Sequence, residues 1–239
     1  MTGVTHATSA ADLAESLAAS LPFRGLPAAH LKRVLEAARR RQVERDAFFF
    51  RQGDPATTFY LLVQGEAKLL WLTPAGYQAL VRLVTPGEEV GLVALLGSEA
   101  YNLSAQAVGD CLALAWEGAT LARLVEGYPR IAFNLLDMLV TYYKQLLERC
   151  QEQVTARVEQ RLARALLRLG ERIGQPAEEG IWIGIALSRE DLAELTGTTQ
   201  YSASRSLSQW EGMGLLETRR DGVLLCQVQA LAAIAEGVA

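Results

Sequence analysis

The spacing of hydrophobic and polar positions changes period twice along the 239-residue chain. Residues 8–20 are alanine-rich and run into Pro22, which predicts a short helix. LPAAHLKRVLEAARRR (26–41) predicts a second helix, with Pro27 in its first turn. From Val43 to Trp116 the pattern becomes short apolar runs. Turn signals separate them at Gln52-Gly53-Asp54, Gln64-Gly65, Pro74-Ala75-Gly76, Pro86-Gly87 and Gly109-Asp110. Turn signals about every 10–12 residues between short apolar runs predict an antiparallel β-roll or barrel.

After Pro129 the helical period returns. IAFNLLDMLVTYYKQLLERCQEQV (131–154) has no Gly or Pro over 24 residues. Ile131, Leu135, Met138, Tyr142 and Leu146 recur at steps of three and four, and Leu139, Val140 and Tyr143 widen the stripe. Such a helix is either an internal core helix or a two-fold dimer helix. The dimer alternative puts Ile131, Leu135, Met138, Tyr142 and Leu146 at the interface.

RVEQRLARALLRLGERIG (157–174) is a further amphipathic helix, and Ile181–Ile185 a short strand. REDLAELTGTTQYSASRSLSQW (189–210) has the layout of a helix-turn-helix. Ser188 caps the first helix with Asp191 three residues on, a capping-box arrangement. Ala193 is small enough for a close crossing, and Gly197 supplies a permissive backbone at the turn. Thr198 or Thr199 caps the second helix. There Ala203, Leu207 and Trp210 share an inward face, leaving Gln200, Tyr201, Ser204 and Arg205 on the other. Arginine, glutamine and hydroxyl side chains suit base edges and phosphates of a major groove. LLETRRDGVLL (215–225) reads as a hairpin turning at Asp221-Gly222, a wing that offers Arg219 and Arg220 to phosphate. VQALAAIAE closes as a helix. The alternative is a helical hairpin that serves packing alone.

Charge adds nothing for nucleic acid at the level of the whole chain. The net charge is −4; residues 1–154 carry 14 bases and 16 acids, and 155–239 carry 9 and 11. DNA binding therefore rests on local placement. Cys111, Cys150 and Cys226 are too scattered for a zinc or iron–sulfur site, and the chain has just two histidines. Without GxSxG, P-loop or metal constellation no catalytic set emerges, so an enzyme is not expected. MTGVTHATSA has neither the basic nor the apolar region of a secretory signal, no apolar run approaches the length of a membrane span, and a reducing cytoplasmic location is expected.

FRQGDPATTFYLLVQGEAKL (50–69), PGEEVG (86–91) and LSREDLAELTGTTQYSASRSL (187–207), in this order around the long helix, resemble the Crp/Fnr superfamily of bacterial transcription regulators. The resemblance covers about residues 22–236. Within it, FRQGDPATTFYLLVQGEAKLLWLTPAG looks closest to the haem-dependent nitric-oxide regulators of the dissimilative nitrate respiration type. The resemblance implies an α+β chain. Its parts are an N-terminal extension (1–21), a cyclic-nucleotide-binding-like β-roll (22–127), a dimerisation helix (128–154) and a winged helix-turn-helix (155–239). It also implies a homodimer on palindromic double-stranded DNA in contact with RNA polymerase. Ser188, Arg189, Thr199, Gln200, Tyr201, Ser202, Ser204, Arg205, Arg219 and Arg220 are the expected DNA-contacting residues.

VGLVALLGSEAYNLSAQAV (90–108) departs from the relatives that bind cyclic AMP. Those carry a glutamate after the glycine for the ribose hydroxyl and an arginine before Ser-Ala for the phosphate. Here Leu92 follows Gly91, and Leu103 precedes Ser104-Ala105. An unpaired phosphate there would cost several kcal/mol, so cyclic AMP is not the expected ligand. The degenerate pocket of Gly91, Leu92, Val93, Leu103 and Ser104 is apolar or filled by its own side chains. Its effector is none, an apolar or redox-active group such as haem, or another metabolite. For haem, His6 and His30 are the only histidines; His30 reads as a surface residue and Cys111 as core. In the DNA-reading helix many members have Arg-Glu-Thr-Val-x-Arg. Here Gln200-Tyr201-Ser202-Ala203-Ser204-Arg205 keeps the last arginine and puts Tyr201 in place of glutamate. A half-site other than TGTGA or TTGAT is expected.

Overall fold

Strict alternation along two central strands organises the first half of the chain. The computed structural model describes residues 9–238. The elements in order are α1 (Ala10–Ala19), α2 (Ala28–Glu36), β1 (Arg39–Val43), β2 (Phe48–Phe50), β3 (Thr58–Gln64), β4 (Ala67–Leu72), β5 (Gln78–Val84), β6 (Glu89–Val90), β7 (Ser104–Ala107), β8 (Cys111–Glu117), α3 (Gly118–Gly127) and α4 (Arg130–Thr155). β1-β8-β3-β6 form one sheet and β2-β7-β4-β5 a second. Successive side chains of a strand point to opposite faces. Tyr60 and Leu62 of β3 and Cys111 and Ala113 of β8 therefore join Phe49, Phe50, Ala67, Leu69, Ala105 and Ala107 in one buried cluster. Phe59, Leu61 and Val63 and Leu112, Leu114 and Trp116 point the other way, into a cluster closed by the helices. Trp116 stacks obliquely on Phe23 (5.3 Å, 47°), and its indole nitrogen donates to the Val34 carbonyl at 2.9 Å, so the largest core side chain buries no orphan donor.

The chain divides into two units by its internal contacts. One comprises residues up to 72 with 83–143; the other comprises 73–82 with 144–239. In the second, α5 (Val158–Ile173), β9 (Gln175–Ala177), β10 (Gly180–Ile183), α6 (Arg189–Thr196), α7 (Gln200–Gly212), β11 (Leu216–Arg219), β12 (Gly222–Leu225) and α8 (Val228–Glu236) follow in order. The sheet order is β11-β12-β10-β9. Leu162, Ala163, Leu166 and Leu169 of α5 are buried, giving the helix one apolar face. No described helix is long and apolar enough to cross a membrane.

Several boundaries differ from expectation. Arg39–Arg41, expected to end a helix, form β1 and pair with Ala115, Leu114 and Ala113 of β8. α3 starts behind Glu117 with no side-chain cap, leaving no sequence mark of its start. The wing's two-residue turn is Arg220-Asp221, since Arg219 pairs with Gly222. The largest correction concerns α4. Ile131, Leu135 and Met138, expected at a dimer interface, are buried in their own protomer's core, and Tyr142 packs against that core. The Tyr142 hydroxyl also donates to Glu89 Oε2 at 2.8 Å. These side chains are consumed by the β-roll. Phe133, Leu136, Val140, Tyr143, Leu147 and Val154 are each half or more exposed instead. Their steps of three, four, three, four and seven trace a second stripe with the heptad spacing of a coiled-coil seam. Leu146, also expected at the interface, is exposed beside this stripe.

Candidate DNA-binding site and effector pocket

The helix-turn-helix is assembled by caps before any DNA contact arises. Ser188 Oγ accepts from the Asp191 amide at 3.0 Å, and Asp191 Oδ2 accepts from the Ser188 amide at 2.7 Å. This closes the expected capping box and satisfies donors at the start of α6. α6 ends at Gly197, whose φ of +61° is left-handed. The Thr198 amide then reaches back to the Ala193 carbonyl at 2.9 Å, a Schellman-type closure. Thr199 caps α7, accepting from the Ser202 amide at 3.2 Å. Ala203, Leu207 and Trp210 are buried, as the inward face requires.

Two side chains without any sequence signal hold the turn from behind. Gln153 Nε2 and Arg161 Nε both donate to the Thr196 carbonyl at 3.0 Å, and Arg161 also reaches the Gly197 carbonyl at 3.3 Å. These carbonyls at the end of α6 would otherwise lack intrahelical partners. A Cβ on Gly197 would lie 2.4 Å from Gln153 Nε2, and φ there disfavours any L side chain. Gly197→Ala is expected to cost about 2 kcal/mol, combining a left-handed alanine with a displaced hydrogen bond. Urea unfolding with an unchanged m-value measures it.

The expected DNA-contacting residues divide into engaged and free. Arg189 is engaged: its guanidinium donates to the Ser204 carbonyl (2.9 Å), Ser208 Oγ (2.7 Å) and Glu211 Oε2 (2.8 Å), clamping α6 to α7. Ser188, Thr199 and Ser202 serve the caps. Arg219 donates to Glu217 Oε2 at 2.8 Å and lies over the Trp182 ring at 5.6 Å. Its hydrogen bond to Glu217 raises its pKa further above the usual arginine value. These five each have an intramolecular role. Gln200, Tyr201 and Arg205 stand exposed on the outer side of α7, with Ser204 half-buried beside them. Arg220 lies at the exposed tip of the wing.

Gly91 of the predicted effector pocket stands against the rings of Tyr101 and Phe50. Phe50 stacks on Tyr101 at 3.7 Å between centroids and 14° between planes. The Tyr101 hydroxyl donates to the Thr58 carbonyl at 2.7 Å and accepts from the Thr58 amide at 2.9 Å. Burial pushes the Tyr101 phenol pKa up. Gly91 turns at φ +83°, and a Cβ there would lie 2.7 Å from the Thr58 carbonyl oxygen. Val93 and Leu103 pack on the cluster between the sheets, whereas Leu92 packs on the helix-covered cluster. Ser104 Oγ accepts from the Gln52 amide at 2.8 Å. The five predicted pocket residues therefore do not converge on one space.

This lining does not fit haem. Cys111 points into the same cluster with its thiol directed at the Glu66 and Gly109 carbonyls, and burial pushes its pKa up to about 11, far from the thiolate a metal needs. His30 stacks on Tyr128 at 4.3 Å, outside this cluster. His6 lies outside the described residues. Among the described residues no group of three or more His, Cys, Asp or Glu is placed to hold a metal.

Comparison with known proteins finds two matching family models. A cyclic nucleotide-binding domain family matches residues 40–128, and a Crp-like helix-turn-helix domain family matches 160–234. The chain is 21% identical over 218 residues to a CRP-like cAMP-activated global transcriptional regulator of Mycobacterium tuberculosis, covering 91% of this chain and 97% of the relative. It is 28% identical over 190 residues to the transcriptional regulator LdrP of Thermus thermophilus, covering 78% and 92%. A solved structure of a CRP-family transcriptional regulator from Thermus thermophilus superposes with a TM-score of 0.69 at 26% identity, covering 82% of this chain and 96% of that one.

Proposed function

The chain belongs to the Crp/Fnr superfamily, and from that premise we propose that it is a homodimeric, sequence-specific DNA-binding transcription regulator that does not respond to cyclic AMP. One observation carries the reading. α7 presents Gln200, Tyr201 and Arg205 to solvent from a helix-turn-helix whose caps, turn and inner face are all satisfied. That combination is a reading head with a rigid support. The exposed stripe of α4 supplies the second copy. Two such helices side by side bury Phe133, Leu136, Val140, Tyr143, Leu147 and Val154 against each other. A two-fold dimer presents two α7 helices, so its site is a palindrome, and RNA polymerase is the partner through which a bound dimer acts.

Insensitivity to cyclic AMP rests on the interior. The Phe50–Tyr101 stack and Leu103 occupy the cluster between the sheets, and Leu92 and Leu103 carry no group for a ribose hydroxyl or a phosphate. An effector shifts an equilibrium only by its difference in affinity for the two states, so a ligand with no site shifts nothing. Selection from random duplexes by the purified protein tests the proposal. The expected outcome is enrichment of a palindrome without added ligand, with half-sites other than TGTGA or TTGAT. Saturating cyclic AMP is expected to change neither operator affinity nor Tm. Selection without any enrichment, or enrichment dependent on cyclic AMP, sinks it.

A further inference from the structure

β1 is an edge strand that opens with Arg39, Arg40 and Arg41, all exposed. Arg39, Ala115 and Tyr60 lie in one row across the sheet, and Arg41 lies across from Ala113. The small side chains of β8 leave a cleft of about 310 Å³ beside the three arginines, walled also by Thr58, Tyr60 and Thr120. A second cleft of about 400 Å³ shares Ala37 and Thr120 with the first. Its own walls are Arg33 of α2, Arg123 and Leu124 of α3, and Tyr128. Together the walls hold five arginines and one carboxylate, Glu117, which lies 3.3 Å from Arg39. Arg123 donates to Thr120 Oγ1 at 3.1 Å. Arg33, Arg40 and Arg41 make no side-chain hydrogen bond or ion pair among the described residues. Charge on an edge strand discourages strand addition. That accounts for β1 but not for α2 and α3 bringing Arg33 and Arg123 to the adjoining cleft.

We propose that the two adjoining clefts bind a nucleoside polyphosphate, at a place apart from the predicted effector pocket. Charge sets the phosphate end. Five arginines against one carboxylate leave an excess of four positive charges. A terminal phosphate carries about −1.5 to −2 near neutral pH, and each inner phosphoryl group adds about one more negative charge. A triphosphate therefore matches that excess, whereas a cyclic phosphodiester leaves most of it unpaired. Arginine forks are the donors that phosphate oxygens take in pairs, and the threonine hydroxyls add to them. Tyr128 and Leu124 set the other end. Tyr128 stacks on His30 (4.3 Å, 29°), and Tyr128 and Leu124 both pack against the helix-covered core cluster. A ring held in this way gives a base a wall to stack on, which a bare phosphate chain would not use. Together the clefts fall within the range of small-ligand sites, about 300–1,000 Å³. None of Gly91, Leu92, Val93, Leu103 and Ser104 lines either cleft, and all the residues that do belong to one unit of the chain.

Titration calorimetry on the full chain tests this, with ATP, GTP, inorganic tripolyphosphate, AMP and cyclic AMP as probes. ATP or GTP is expected to bind at one site per chain. Tripolyphosphate should bind about tenfold more weakly for want of a base, and AMP and cyclic AMP about a hundredfold more weakly for want of charge. Arg40→Gln with Arg41→Gln is expected to weaken ATP about tenfold, a modest loss because both groups are exposed. Tm should stay unchanged, since neither side chain has another partner among the described residues. Tyr128→Leu is expected to remove the advantage of ATP over tripolyphosphate and to leave tripolyphosphate binding as it was. That retained binding shows that the variant is folded; where it is lost, the contrast between ATP and tripolyphosphate on the intact chain decides alone. Absence of binding by either nucleotide overturns the inference, as does undiminished affinity in the Arg40→Gln, Arg41→Gln variant. Equal affinity of the intact chain for ATP and tripolyphosphate also overturns it. So does displacement of ATP by polyglutamate at equal charge, which would make the clefts a surface for acidic proteins. No DNA enters the test, so this inference and the DNA-binding reading fail separately.

Discussion

Val140→Glu combined with Leu147→Glu is expected to turn the protein from dimer to monomer and to weaken operator binding by about 10²–10⁴-fold, the avidity lost when two reading heads are no longer joined. Both side chains are exposed on α4, one heptad apart, and neither belongs to a buried cluster of the protomer. The substitution therefore leaves the core intact, and far-UV circular dichroism and monomer Tm should be preserved. In a two-fold seam each glutamate meets its symmetry mate, which brings four like charges into an apolar interface. Light scattering coupled to size exclusion reads the mass. The opposite face gives the control. Leu135→Ala cuts into the core shared with Phe59, Leu61 and Trp116 and is expected to cost about 2–5 kcal/mol of stability. A Val140→Glu, Leu147→Glu protein that remains a dimer with full affinity would mean that α4 does not carry the interface.

That pair of outcomes shows where the sequence runs out. Periodicity marks the apolar positions of α4 but not the partner each meets, because two stripes share one helix. The stripe through Ile131, Leu135 and Met138 is the more regular at its start, yet it is the β-roll that covers it. The β-roll itself was legible, since its turn signals fall between strands and its alternation is clean. The ends were harder. Ala37-Ala38-Arg39-Arg40-Arg41 has helical propensity, and pairing with β8 overrides it. At the reading head the caps were legible because Ser188, Asp191, Gly197 and Thr199 act on neighbouring backbone. The fate of Arg189 was not, because Glu211 lies 22 residues away and meets it through folding. Arg219 is the reverse case. Glu217 stands two residues before it on the same face of a strand, so the ion pair was available to a reading of alternation. Gln153 and Arg161 acquire their role from the carbonyls of Thr196 and Gly197, which no side-chain pattern displays.

Arg205→Ala is expected to cost about 1–3 kcal/mol of operator discrimination, roughly ten- to a hundredfold in affinity for the selected site, while Tm stays unchanged. Arg205 is exposed on α7 and, among the described residues, makes no hydrogen bond or ion pair, so its removal breaks nothing inside the protein. Its planar fork matches two acceptors of guanine at once. Arg205→Lys keeps the charge and loses the fork. That variant should retain the salt slope and non-specific affinity while its preference at one base pair relaxes. Arg189→Ala is expected to behave in the opposite way. It removes the clamp to Ser208 and Glu211, leaves a carboxylate one-third exposed without its partner, and should lower Tm before any effect on base preference appears. Fluorescence anisotropy on the selected duplex and on single-base variants, beside thermal unfolding of each protein, separates the two arginines. If Arg205→Ala selected the same palindrome with undiminished affinity, the outer face of α7 would not be what reads the DNA, and the phosphate contacts of the wing would have to account for binding alone.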